Sequence, residues 1–160
     1  MKYAEKESNL YKLGKQLIEE AFHYLESNCP LESMHEAACF VELYEYLRPL
    51  QPFEVIDLKA FKRLIIKQMN SVLSFETKSW VSDYVCKPSL FIKSKESDFY
   101  SEYRELCDFE VSFISQTQKE DGTWSINWAW NDYLEEWQIS QHWWKSDMII
   151  KNCLFYQNFR

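Results

Sequence analysis

Along most of this chain apolar residues recur three and four positions apart, the spacing of an amphipathic helix. Over residues 9–27 they are Leu10, Leu13, Leu17, Ile18, Ala21, Phe22 and Leu25. Ser8 is the expected N-cap, and Pro30 ends the element because proline cannot continue a helix. A second helix is predicted over residues 31–48, burying Met34, Ala37, Ala38, Val41 and Leu47, with Pro49 and Pro52 as its stop. Asp57 caps a third, whose inner face is Leu58, Phe61, Leu64, Ile65, Met69 and Val72. A fourth is expected from an Asp98 cap to about Thr117, turning Phe99, Tyr103, Leu106, Cys107, Val111, Phe113 and Ile114 inward. The fifth begins near residues 134–138 and runs toward Phe159. Trp143, Trp144, Met148, Ile149, Ile150, Leu154 and Phe155 go most of the way round it, which predicts burial between layers or against a partner. Residues 79–97 are interrupted by Pro88 and read as an ordered loop over helix ends, with room for one short helix.

The break between the fourth and fifth helices carries the largest apolar payload. Six of the seven tryptophans fall in residues 118–144, and one of the two glycines, Gly122, marks the turn. Asp-Gly is a strong turn signal because glycine accepts a left-handed backbone without steric cost. Residues 118–123 are therefore expected to separate two helices, with Trp124 folding back over the junction. A shift of about 44 residues lays Ser71 on Ser115, Glu76 on Glu120, Trp80 on Trp124, Asp83 on Asn127 and Tyr84 on Trp128. A period of that length means one helix-loop-helix unit per repeat. The reading is a single helical domain over 1–160, with 56–116 and 117–160 as approximate repeats.

The run Ile114-Ser-Gln-Thr-Gln118-Lys-Glu-Asp-Gly122-Thr-Trp124 is similar to the QW motif of the terpene cyclases. The α/α-toroid fold of that family also serves the β-subunits of protein prenyltransferases. The resemblance implies structural roles for Gln118, Gly122 and Trp124: the glutamine would cap the following helix and stack on the indole. It implies a fold more than an activity. The Asp-x-Asp-Asp acid and the Asp-Asp-x-x-Asp metal motif of the cyclases have no counterpart in this chain. Nor does the Asp-x-Cys zinc pair of the prenyltransferases, since Cys107-Asp108 are adjacent and in the other order. A closed toroid of six hairpins needs well over ~200 residues at ~40 per hairpin. A chain of 160 residues makes an open arc, whose uncovered surface must be met by a second copy, a protein partner or a compact repacking.

Composition narrows the function classes. Two glycines and four prolines argue for long regular elements, and 18% aromatic residues predict a core built on rings. The fold class is therefore all-α, as stacked antiparallel α-hairpins with a partial α/α-toroid-like arrangement. A net charge of −7 and the absence of a basic stripe exclude nucleic acid as the expected partner. Five scattered cysteines without a Cys-x-x-Cys pair suit buried thiols in a reducing cytoplasm. The charged N-terminus has no secretory pattern, and no apolar run approaches the ~20 residues of a membrane span. The three histidines lack metal spacing, and two isolated glycines cannot form a phosphate loop, so neither metal nor cofactor is expected.

What remains is the aromatic set Trp128, Trp130, Tyr133, Trp137 and Trp144. These rings either form core or line a cavity for an apolar small molecule, with faces that can also meet a cation. Glu120, Asp121, Asp132, Glu135 and Glu136 flank them, either as acids at a pocket mouth or as partners of a helix dipole. Two functions follow. One is a non-catalytic binding or interaction module with an aromatic-lined surface or pocket. The other is a prenyltransferase- or terpene-cyclase-like enzyme, or a fragment of one, acting on an isoprenoid. The missing acid and metal motifs favour the first, and no catalytic residue is assigned.

Overall fold

A computed structural model describes residues 4–6, 8–50 and 53–160. The chain is all-α: among the described residues there are five α-helices and no sheet. These are α1 (Asn9–Asn28), α2 (Met34–Leu47), α3 (Leu58–Val72), α4 (Tyr100–Thr117) and α5 (Leu134–Phe159). They fall into two compact units, Met1–Leu73 and Ser74–Arg160. That boundary lies inside the stretch 56–116 assigned above to the first repeat.

The helix starts of the first unit follow local capping chemistry. Ser8 accepts the Tyr11 N–H at 3.2 Å, Ser33 that of Glu36 at 3.2 Å, and Asp57 those of Lys59 and Ala60 at 2.8 and 3.2 Å. Each such cap satisfies donors that the first turn leaves unpaired and stabilises its helix by roughly 1 kcal/mol. The Ser33 cap moves the start of α2 to Met34, three residues beyond the expected Leu31. Leu47 is its last residue; Pro49 continues in a 3-10 turn, Arg48–Leu50, and Pro52 lies outside the described residues.

Phe61 of α3 is the centre of this unit. It is fully buried, with Phe22 of α1 at 5.9 Å and Phe40 and Tyr44 of α2 at 6.4 and 6.3 Å between ring centroids. Phe40 and Tyr44 were not on the predicted face, which included Met34 and Ala38; those two are only half-buried. Gln68, late in α3, bonds to Leu31 just before α2, while Phe40 and Tyr44 meet the start of α3, so α2 and α3 run antiparallel. On α1 the expected stripe is covered only in part. Ile18 and Leu25 are buried, but Leu10, Leu13 and Leu17 are 67%, 50% and 53% exposed. The ring contacts that seat α1 in its unit are made by Phe22 and Tyr24, near its C-terminal end, and its first turns extend past them.

In the second unit α4 packs on α5. Tyr100 at the start of α4 meets Phe159 at the end of α5 at 5.4 Å, so this pair is also antiparallel. Asn158 and Lys95 add bonds to Lys93 O (2.9 Å) and Arg160 O (3.3 Å). Phe99, wholly buried, is the N-cap residue of α4, so the helix begins at Tyr100 and not from an Asp98 cap. The segment before it folds as two 3-10 turns, Thr77–Trp80 and Pro88–Leu90, and buries Trp80, Cys86, Pro88, Phe91 and Ile92. α5 differs most from expectation. Phe155 and Phe159 are its only buried residues, while Ile139, Trp143, Ile150 and Leu154 are 53–72% exposed.

Candidate functional site

The loop after α4 is built by short-range bonds. Gly122 takes φ +80°, the left-handed backbone that its place after Asp121 suggested. Its N–H donates to Lys119 O, and the Lys119 N–H to Thr123 O, both at 2.9 Å. Asp121 accepts the Thr123 hydroxyl at 2.7 Å and the Thr123 N–H at 3.0 Å, and these bonds hold its carboxyl below the usual range. It is thus committed to its own turn. Gln118 donates its side-chain amide to Gly122 O at 3.1 Å, closing the loop on itself. This corrects the role implied by the QW resemblance, a cap on the following helix. α5 begins after Tyr133 with no side-chain cap bond.

Trp124 does fold back. It is buried, and its indole N–H donates at 2.8 Å to Ile114 O, one of the carbonyls that the last turn of α4 leaves unpaired. Trp80 is buried in a similar way. Its indole N–H donates to Ser74 O at 3.1 Å, and Phe109 and Phe113 stand edge-on at 5.4 and 5.6 Å. Two of the residue pairs superposed by the 44-residue shift touch one another. Asn127 donates to Asp83 O at 2.6 Å, and the Tyr84 and Trp128 rings lie 5.8 Å apart.

Beyond Trp124 the rings named from sequence come together. Trp128 contacts Trp137 at 4.9 Å and Trp144 at 5.1 Å, and Trp137 contacts Trp130 at 5.6 Å. These tilted and edge-on pairings are the arrangements indole quadrupoles prefer, worth roughly 0.5–1.5 kcal/mol each beyond area burial. The network is not core: Trp130 is 36% and Trp144 40% exposed. Where it reaches the surface there is an open cavity of about 620 Å³, lined by Ala129, Trp130, Asn131, Asp132, Tyr133 and Glu136. Trp130 and Tyr133 therefore form its wall, and Trp128, Trp137 and Trp144 join it through ring contacts. Of the flanking acids only Asp132 and Glu136 line it. The turn Trp130–Tyr133, closed by the Tyr133 N–H to Trp130 O at 3.3 Å, sets both rings beside the start of α5.

A second cluster was missed at the sequence level. Glu110 of α4 is 2% exposed and accepts two bonds from Ser89, from the N–H at 2.8 Å and the hydroxyl at 2.6 Å. Burial pushes its carboxyl up to about 7, against the downward pull of the Ser89 bonds and of Lys87 and Lys93. Nearby, burial raises the Cys86 and Cys107 thiols to about 12, which leaves them inert as nucleophiles at neutral pH. Lys87 places its ammonium 4.6 Å from the Phe113 ring centroid and 5.6 Å from that of Trp80. The available signal was register, for Glu110 lies seven residues after Tyr103 and four before Ile114, both core positions. Among the described residues no group of three His, Cys, Asp or Glu side chains is placed to hold a metal, and no helix is long and apolar enough to cross a membrane. Compared with family models, curated proteins and solved structures, the chain finds no match.

Proposed function

We propose that this protein is a non-catalytic helical binding module that takes a small ligand in the groove walled by Trp130 and Tyr133. The observation that carries the proposal is a cavity of about 620 Å³ at the exposed end of a connected tryptophan network. Small-molecule sites span roughly 300–1,000 Å³ and combine apolar walls with a few polar groups. Large rings left at the surface beside a concavity offer a ligand more burial than a flat patch does. Five free thiols support a reducing, cytoplasmic setting for this function.

The test is titration with N-phenyl-1-naphthylamine, a neutral fluorescent probe. Saturable enhancement with a micromolar midpoint, lost in Trp130→Ala, is the expected result. A linear response unchanged by Trp130→Ala would overturn the proposal. Competition by a farnesyl analogue would bring forward the isoprenoid reading that the QW resemblance implies.

An exposed apolar stripe in each unit supports a second reading, a protein partner that is a second copy of this chain. Leu10, Leu13 and Leu17 on α1, and Ile139, Trp143 and Ile150 on α5, are exposed apolar stripes. Sedimentation velocity at increasing concentration tests this: a monomer throughout would remove the homodimer.

A further inference from the structure

We infer that the groove selects a small organic cation, a quaternary or alkylated ammonium. This rests on the reading of the groove as a ligand site and adds the chemical class of the ligand. The lining joins two aromatic residues, Trp130 and Tyr133, to two carboxylates, Asp132 and Glu136, and contains no lysine or arginine. An aromatic face carries negative electrostatic potential, strongest for tryptophan, and attracts a cation within ~6 Å of the ring centroid. The carboxylates add long-range attraction of the same sign, and the chain's net charge of −7 reinforces it.

One local effect opposes this. Glu136 lies in the first turn of α5, and a helix start carries roughly half a positive charge. Asp132, Glu135 and Glu136 together bring more negative charge than that half unit, so the field in the groove stays cation-attracting. A compact ammonium is strongly hydrated and loses much of that hydration against a ring. An alkylated nitrogen is weakly hydrated, and its methyl groups bury apolar surface on the indole. The cavity has the volume of a small-molecule site. The same unit already seats one cation on rings, Lys87 over Phe113 and Trp80.

The experiment compares choline with its neutral carbon isostere, 3,3-dimethylbutan-1-ol, by two-dimensional NMR of the tryptophan indole N–H signals. Choline is expected to bind at least about tenfold tighter, the scale of one to two partly desolvated cation–π contacts. The preference should weaken as salt is raised, and the Asp132→Asn/Glu136→Gln double variant should lose the salt-dependent part of it, leaving the part the rings supply. Both positions are exposed, so that variant remains folded, and its unchanged binding of N-phenyl-1-naphthylamine verifies the groove. Equal affinity for the two isosteres would overturn the cation assignment while leaving the binding function standing. Loss of both choline and the neutral probe in the parent protein would remove the function and the inference together. A trimethyllysine peptide binding more than about tenfold tighter than choline would overturn the small-molecule assignment.

Discussion

Among the described residues each unit holds one deeply buried polar or charged side chain, and the two do the same mechanical job with different chemistry. In the first, Gln68 of α3 is 1% exposed and donates to Leu31 O at 2.9 Å while accepting the Leu31 N–H at 2.6 Å. In the second, Glu110 of α4 accepts both the N–H and the hydroxyl of Ser89. Both fasten a segment outside the α-helices, a loop in the first unit and a 3-10 turn in the second, to an α-helix by satisfying buried polar groups that are costly to leave unpaired. The amide is neutral and supplies a donor and an acceptor at once. The carboxylate needs two donors and, once ionised, holds a charge where water cannot reach it. The first fastening is therefore indifferent to pH across the neutral range, and the second is not.

The largest effect should come from erasing that difference. Gln68→Glu would set a carboxylate oxygen against Leu31 O, where an amide now donates. At pH 8 the loss of stability in urea denaturation should be about 3–5 kcal/mol, the scale of an uncompensated buried charge. It should shrink in acid, because a protonated carboxyl can donate to that carbonyl. A pH-independent loss would mean that packing, not charge, sets the fit at this position.

Next is the pH dependence of the native protein. Glu110 has a folded pKa of about 7, raised from 4.5. The folded state therefore binds more protons than the unfolded state between those values. Its contribution is fully present below the unfolded pKa and is lost as pH rises through about 7. The full change is on the order of 3 kcal/mol. Glu110→Gln should flatten this part of the profile, leaving the acid limb that comes from carboxyls held below their usual range, among them Asp57 and Asp121. An unchanged slope between pH 5 and 8 in that variant would assign the dependence elsewhere.

The smallest effect is expected from Ser89→Ala, which removes one of the two bonds to the carboxylate. A hydrogen bond to a charged group contributes about 1.5–3 kcal/mol, so a loss at the lower end is expected at pH 8. The midpoint of the Glu110 titration should move upward, because a bond favouring the ionised form is gone. Chemical denaturation and carboxyl-selective NMR read the two quantities. No equivalent substitution exists in the first unit, where Gln68 binds only backbone.

Both fastenings were half legible. Gln68 falls among Ile65, Met69 and Val72, and Glu110 between Tyr103 and Ile114, so each polar residue sits in the register of an apolar face. Nothing in the pattern named their partners, which lie 37 and 21 residues away. The aromatic groove shows the same division. Sequence assembled Trp128, Trp130, Tyr133, Trp137 and Trp144 as one set, yet only Trp130 and Tyr133 wall the cavity. Asp121 and Asp132 looked alike as flanking acids until the Thr123 bonds took the first out of the site.

Local order was readable residue by residue: the Ser8 and Asp57 caps, the left-handed Gly122, and the helical periods themselves. Such features depend on bonds and dihedrals spanning four residues or fewer, and the chain carries that information in place. Which apolar stripe is covered was settled by packing. Leu10, Leu13 and Leu17 keep a helical spacing as regular as that of Phe61, Ile65 and Met69, yet the first three are exposed and the second three buried. Burial is a property of elements meeting across long stretches of chain, and hydrophobic attraction has no direction to encode which pair will meet.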